Sequence, residues 1–267
     1  MTRSLVRGAW PASVASVASV ALVASGACLP LPAEKAKIDV AMRAGPAEVL
    51  TDDGYVVHFD RRLIVLGATI SSTTGGGGNF APQLRDLDAP PLPLPPLRAL
   101  GERFVGVSTQ SHSEKTPSGP TVTADEIEAM GSFEKHVAPS SMWLRGTISR
   151  NGERWHFDWR ASLYIGRVCG VSKDGRLTTI GFDAETQHGL EIDVHVERLF
   201  VDAKRPGLRA EAFVDADIDR DHDLTTTELF RGANLVDDRA KIFDVALDGA
   251  PLECAAPNDA YGLLQRD

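Results

Sequence analysis

Between Asp215 and Asp223 the chain carries an aspartate at every second position, and three threonines and a glutamate follow in "DADIDRDHDLTTTEL". Without a counter-charge, such an acidic run stays solvated and disordered. A bound cation reverses the sign of the interaction. Counting from Asp217, carboxylates fall at positions 1, 3 and 5 (Asp217, Asp219, Asp221), and the backbone carbonyl of Asp223 falls at position 7. Thr225 stands at position 9 and Glu228 at position 12. Hard oxygen donors at that spacing surround calcium, and a bidentate glutamate closes the cage from the next helix. A frame begun at Asp215 puts Thr226 in the closing position and loses that ligand. The alternative is a degenerate loop that only caps a helix.

The flanks favour the first frame. Leu224 supplies an inward apolar contact at position 8, and Phe213 precedes the first ligand by four residues, within an entering helix "GLRAEAFVDA". An exiting helix is expected from "TTELFRGA". From Leu208 to Ala233 the chain therefore resembles the EF-hand family. That resemblance implies calcium as the cofactor, with Asp217, Asp219, Asp221, Asp223, Thr225 and Glu228 as its ligands. One position departs: His222 stands at position 6, where the family has glycine for a sharp turn. Left-handed backbone at a histidine stores strain on the order of 1 kcal/mol, so the sequence alone predicts that His222→Gly tightens calcium.

Other chemistry is thinner. His58, His156 and His195 each sit on the polar face of a predicted strand beside an acid (Asp60, Asp158, Glu197). Brought together they could hold a transition metal; the simpler reading is a solvated sheet face. No nucleophile elbow, zinc-protease helix or phosphate-binding loop occurs, since "GGGG" lacks the lysine and spacing of the last. The chain reads as nonenzymatic.

The elements that must position these residues are mostly strands. "GYVVHFDRRLIVLGATIS" alternates and then runs apolar from Leu63 to Leu66, as a core strand does. Asn151-Gly152 is the signal of a tight hairpin, with Trp155, Phe157 and Trp159 on one inward face. "GLEIDVHVERLF" predicts a strand with Leu190, Ile192, Val194 and Val196 inward and Glu191, Asp193, His195 and Glu197 outward. Thr123 and Glu126 form a capping box for one helix carrying Ile127, Met130, Phe133 and Val137. Residues 73–100 hold "GGGG" and "PPLPLPP" and read as a surface insertion unable to bury a core. The expected class is mainly β, an antiparallel sandwich with one embedded helix and a C-terminal helix-loop-helix.

The amino terminus reads as a targeting segment, with Arg3 and Arg7 ahead of an alanine, serine and valine run too short and too weakly apolar for a membrane span. Ser25, Gly26 and Ala27 before Cys28 fit removal of residues 1–27 and resemble a bacterial lipobox, in which the cysteine becomes acylated. Cleavage without lipid is the alternative. Leu29, rather than aspartate, after the cysteine points to the outer membrane, and otherwise the protein is periplasmic. The formal charge of −9 becomes more negative once both leader arginines are gone, which argues against nucleic-acid partners. In an exported chain, the remaining Cys169 and Cys254 are expected to form a disulfide, with two separate buried thiols as the alternative. The expected organisation is a sandwich over 28–205, a calcium loop over 206–233 and a tail over 234–267 packed on the sandwich. These parts together resemble a group of exported bacterial lipoproteins with one EF-hand loop. A wider likeness is to periplasmic proteins associated with copper acquisition, whose related strand carries a second histidine where this chain has Arg198. The protein partner is not indicated by any motif.

Overall fold

The computed structural model describes residues 35–71, 77–90, 93–131, 138–170, 172–173, 176–201, 205–228 and 242–255. Strand β1 (Ala36–Ala44) buries Ala36, Ile38, Val40 and Met42 and turns the alternate residues outward. After a short β2 (Glu48–Leu50), β3 (Val56–Ser71) buries every residue from Arg62 to Ala68. The unbroken apolar run has a cause: Ile64 and Leu66 enter the main core, while Leu63 and Val65 join a second cluster on the opposite face with Leu84, Met130 and Trp143.

The Gly/Pro-rich stretch is not a bare insertion. It forms β4 (Gly77–Asp86), antiparallel along β3, and β5 (Leu94–Ala99), antiparallel to β1. Leu84, Leu87, Leu94, Leu97 and Ala99 are buried. β5 is the last strand of its sheet, where a proline's missing N–H costs no ladder bond. Strand β6 (Gly101–Thr109) follows, and then helix α1 (Ala124–Ala129), opened by the expected Thr123–Glu126 capping box. The helix is shorter than its apolar spacing predicts, because Gly131 adopts φ 68° and terminates it in the left-handed region. Phe133 and Val137 lie outside the described residues.

Strands β7 (Met142–Arg150) and β8 (Glu153–Ala161) form the hairpin, with Asn151 at φ 52° and Gly152 at φ 89°. Trp155, Phe157 and Trp159 point into the core. Then come β9 (Gly166–Cys169), the small pair β10 (Ser172–Lys173) and β11 (Arg176–Leu177), β12 (Ile180–Phe182) and β13 (His188–Val194). The predicted alternation stops at Val194. Val196, Leu199 and Phe200 are all buried at helical spacing, so the chain winds into a 3-10 helix, Val196–Phe200. This turns Glu197 inward, only 6% exposed, contrary to its expected outward position. Its carboxylate accepts from His195 Nδ1 at 2.8 Å.

Helix α2 (Glu211–Val214) and β14 (Asp223–Leu224) lead to β15 (Phe243–Leu247), β16 (Ala250–Pro251) and β17 (Cys254–Ala255). One sheet has the order β16-β15-β13-β1-β5; a ten-stranded sheet runs β14-β8-β7-β3-β6-β9-β17, with β2, β4 and β12 attached. The fold is mainly β, but the sheets are mixed rather than antiparallel. β1 runs parallel to β13 (Val40 opposite Leu190), and β14 runs parallel to β8. Both sheets contribute to one core, Ile38, Val40 and Ile192 from the first and Phe59, Leu144 and Trp159 from the second. The tail enters both sheets as strands, and Cys254 on β17 lies opposite Cys169 on β9, bonded at 2.00 Å. All described residues belong to one compact unit, Glu34–Asp267.

Candidate metal centre

Four residues of helix cannot hold a position alone, so the entry to the acidic loop is fixed from outside. α2 has no cap of its own; Asp53, from the turn before β3, accepts from the backbone N–H groups of Ala210 and Glu211 at 3.0 and 2.8 Å. Phe213 then packs on Phe200 and Trp159, with ring centroids 4.4 and 5.5 Å away. On the far side, Thr225 and Glu228 form a capping box. Thr225 N–H and Oγ1–H each donate to Glu228 Oε2 at 2.8 Å, and Glu228 N–H returns a bond to Thr225 Oγ1 at 3.3 Å. A helical turn starts at Thr226, and residues 229–241 lie outside the described residues.

Between these anchors the aspartates organise their own loop. Asp221 N–H donates to Asp219 Oδ1 at 3.4 Å, His222 N–H to Asp217 Oδ2 at 3.3 Å, and Asp223 N–H to Asp221 Oδ1 at 2.8 Å. Glu228 Oε1 accepts from Ile218 N–H at 3.3 Å, tying the twelfth residue of the frame to the second. The backbone reverses through left-handed Arg220 (φ 61°) and His222 (φ 67°).

The loop draws one carboxylate oxygen each from Asp217, Asp219 and Asp221 to within 4.8 Å of one another. Glu228 and Asp223 stand outside that triplet. Thr225 directs its hydroxyl to Glu228, and the Asp223 side chain is exposed. Asp217 Oδ1 is buried with no hydrogen-bond partner among the described residues. Desolvation, and then the charges of Asp221, Glu228 and Asp217, push the Asp219 carboxyl above its ordinary value. A divalent cation held by the triplet would cancel the repulsion and could offer the orphan oxygen a partner. Oxygen-only donors favour a hard ion.

The histidines are placed differently. His58 lies near Glu48 and Asp60 at 3.3 and 3.5 Å, and His195 sits at the end of β13 between Glu197 and Asp244 at 2.8 and 3.4 Å. His156 is on β8, with β7 between it and His58. Among the described residues, the aspartate triplet is the one group of three or more candidate ligands, so the imidazoles do not converge. Cys28 lies outside the described residues.

Two features escaped sequence reasoning. The segment Asp223–Leu224 docks in parallel on His156–Phe157 of β8, and the His222 ring stacks on Trp155 with centroids 5.1 Å apart and planes 19° apart. The alternation of Glu153–Ala161 identified a strand, but no local signal says what lies on its free edge. In comparisons with known proteins, no family model, curated protein or solved structure matches this chain significantly. The chemistry of the loop therefore carries the functional argument.

Proposed function

We propose that this is an exported, nonenzymatic calcium-binding lipoprotein whose acidic loop acts as a structural clamp on the edge of the ten-stranded sheet. The supporting observations are the convergence of one carboxylate oxygen each from Asp217, Asp219 and Asp221 and, on Asp217, a buried Oδ1 with no partner among the described residues. Calcium would be held by those carboxylates, the Asp223 carbonyl, Thr225 and the Glu228 carboxylate; it supplies charge neutralisation and no reaction step. Extracellular modules of this type bind at about 10⁻⁴–10⁻³ M, so a structural rather than a signalling site is expected. Lipid on Cys28 would attach the clamp to the outer membrane, and the unacylated form would be periplasmic.

Calorimetric titration of metal-free protein tests the reading. Millimolar calcium should give a one-site isotherm that Glu228→Ala abolishes or weakens severely, and calcium at a hundredfold excess over Kd should stabilise the fold by about 2.7 kcal/mol. Equal affinities for the wild type and Glu228→Ala would reject it, and copper or zinc bound at stoichiometry in place of calcium would redirect it to the histidines. Mass spectrometry of the native amino-terminal peptide should show a diacylglyceryl group on Cys28.

A further inference from the structure

The loop does a second thing: it walls a groove. On the outward face of the ten-stranded sheet, one region is covered by α1 and the cluster around Trp143, and beside it opens a depression of about 620 Å³. That size falls within the roughly 300–1,000 Å³ usual for small-molecule sites. Arg145 of β7 and His156, Asp158 and Arg160 of β8 line it, with Asp60 of β3, and residues 223–227 of the acidic loop form the facing wall. Arg160 is held in place, its guanidinium 5.7 Å from the centroid of Trp143 and 3.6 Å from Asp158. Arg145 and His156 are not held: among the described residues, neither side chain has a hydrogen bond or ion pair, and both are exposed.

We propose that this groove binds a sugar acid, a small ligand carrying both a carboxylate and several hydroxyls, and that calcium is required to build its wall. This rests on the calcium reading above. The lining discriminates between ligand classes. A simple anion would pair with Arg145 but have no proton to offer Asp60, Asp223 or the second oxygen of Asp158, whose Oδ1 already accepts from Trp143 Nε1–H at 2.6 Å. A neutral sugar would satisfy those carboxylates and leave Arg145 unanswered. A cation would satisfy the carboxylates but meet the guanidiniums of Arg145 and Arg160. A polyhydroxy carboxylate gives the arginine its charge-assisted partner and gives the aspartates hydroxyl donors, and groups left unpaired in the alternatives count against them. The wall depends on the loop because Thr225 is pinned by Glu228 and Thr226 Oγ1 accepts from Arg160 N–H at 3.3 Å.

Galacturonate, galactose and acetate are titrated into the full mature chain in calcium and in chelator. Galacturonate should bind the calcium-loaded protein, and galactose and acetate should each be at least about tenfold weaker, the loss expected for an unmade charge-assisted bond or unpaired polar set. Arg145→Ala should weaken galacturonate by a similar factor and leave the calcium isotherm unchanged. In chelator, galacturonate binding should be lost. An intact calcium isotherm with no galacturonate binding would overturn the groove and spare the calcium reading. Acetate binding as tightly as galacturonate would overturn the ligand class, and equal galacturonate binding with and without calcium would overturn the coupling. A missing calcium isotherm would remove both.

Discussion

Replacing His222 by glycine separates backbone strain from tertiary contact. Its φ of 67° is the region in which glycine is at ease, so His222→Gly should relieve on the order of 1 kcal/mol. Two losses oppose that gain. The imidazole stacks on Trp155 at 5.1 Å, which contributes about 0.5–1.5 kcal/mol, and its Nδ1–H donates to the Arg154 carbonyl at 3.1 Å, about 0.5–1.5 kcal/mol more. Glycine also widens the unfolded ensemble, costing roughly 0.5–1 kcal/mol. At the central values the balance is a net loss of about 1.8 kcal/mol, or about twentyfold in an equilibrium constant. The sequence alone predicted the opposite sign. Both contacts hold the loop against β8, so the loss should appear as weaker calcium binding in calorimetry, as lower stability of the loaded protein in urea, or as a sum over the two. His222→Asn, which tolerates left-handed backbone but removes the ring, should behave like the glycine variant. A His222→Gly protein that binds calcium more tightly than wild type at equal stability would show that strain outweighs stacking, and would refute the clamp geometry around Trp155.

Other expectations follow from single contacts. Arg61 donates two bonds to Glu126 at 2.7 and 2.8 Å and holds its carboxyl down at about 2, below the ordinary 4.5. The folded value is depressed, so this contribution is complete above about pH 4.5 and is lost as pH falls towards 2; Glu126→Gln should flatten that part of the acid-denaturation curve and cost about 1.5–3 kcal/mol at neutral pH. Serine at both Cys169 and Cys254 opens a loop of 85 residues, and urea unfolding should show a loss of about 4 kcal/mol on the chain-entropy account. At Gly146 an added Cβ would lie 1.9 Å from the His58 carbonyl oxygen on the neighbouring strand, and backbone cannot yield as a side chain can, so Gly146→Ala should cost about 1–3 kcal/mol in thermal unfolding.

What the sequence discloses follows the range of the interaction. The β7–β8 hairpin is written in Asn151-Gly152 and in the alternation of Trp155, Phe157 and Trp159, all local terms. The grouping of the three aspartates is likewise local, because carboxylates on one short loop need no distant element to bring them together. Pairing between β1 and β13 joins residues about 150 positions apart, and nothing in either strand specifies a parallel neighbour. Glu197 misled for a subtler reason. Val194 and Val196 continue the period-two pattern of the strand, while Val196, Leu199 and Phe200 also fit helical spacing, and only the covering of that whole turn decides between them. The Pro-rich stretch failed because composition describes solubility and stiffness, not edge position. At the edge, prolines 95 and 96 are harmless and Leu94 and Leu97 still reach the core.

The same edge logic accounts for the acidic loop. β8 lies next to the end of its sheet, and its outer backbone groups would stand unpaired over several residues, a template for unwanted strand addition. The loop meets them in turn. Arg154 C=O accepts from the His222 ring, His156 N–H donates to the His222 carbonyl at 2.8 Å, and Arg160 N–H reaches Thr226 Oγ1; beside these backbone groups, the Trp159 side chain donates from Nε1–H to Leu224 C=O at 2.8 Å. Leu224, buried in the core, pairs with Phe157 and fastens the loop to the sheet edge. The histidine at position 6 then has a reason that glycine would not satisfy, because the residue that turns the loop also fastens it to Trp155 and Arg154. Carboxylate repulsion opposes the docked form, and the edge contacts favour it. On the calcium reading proposed above, a cation that removed the repulsion would favour the docked form and so link metal binding to the order of this strand edge.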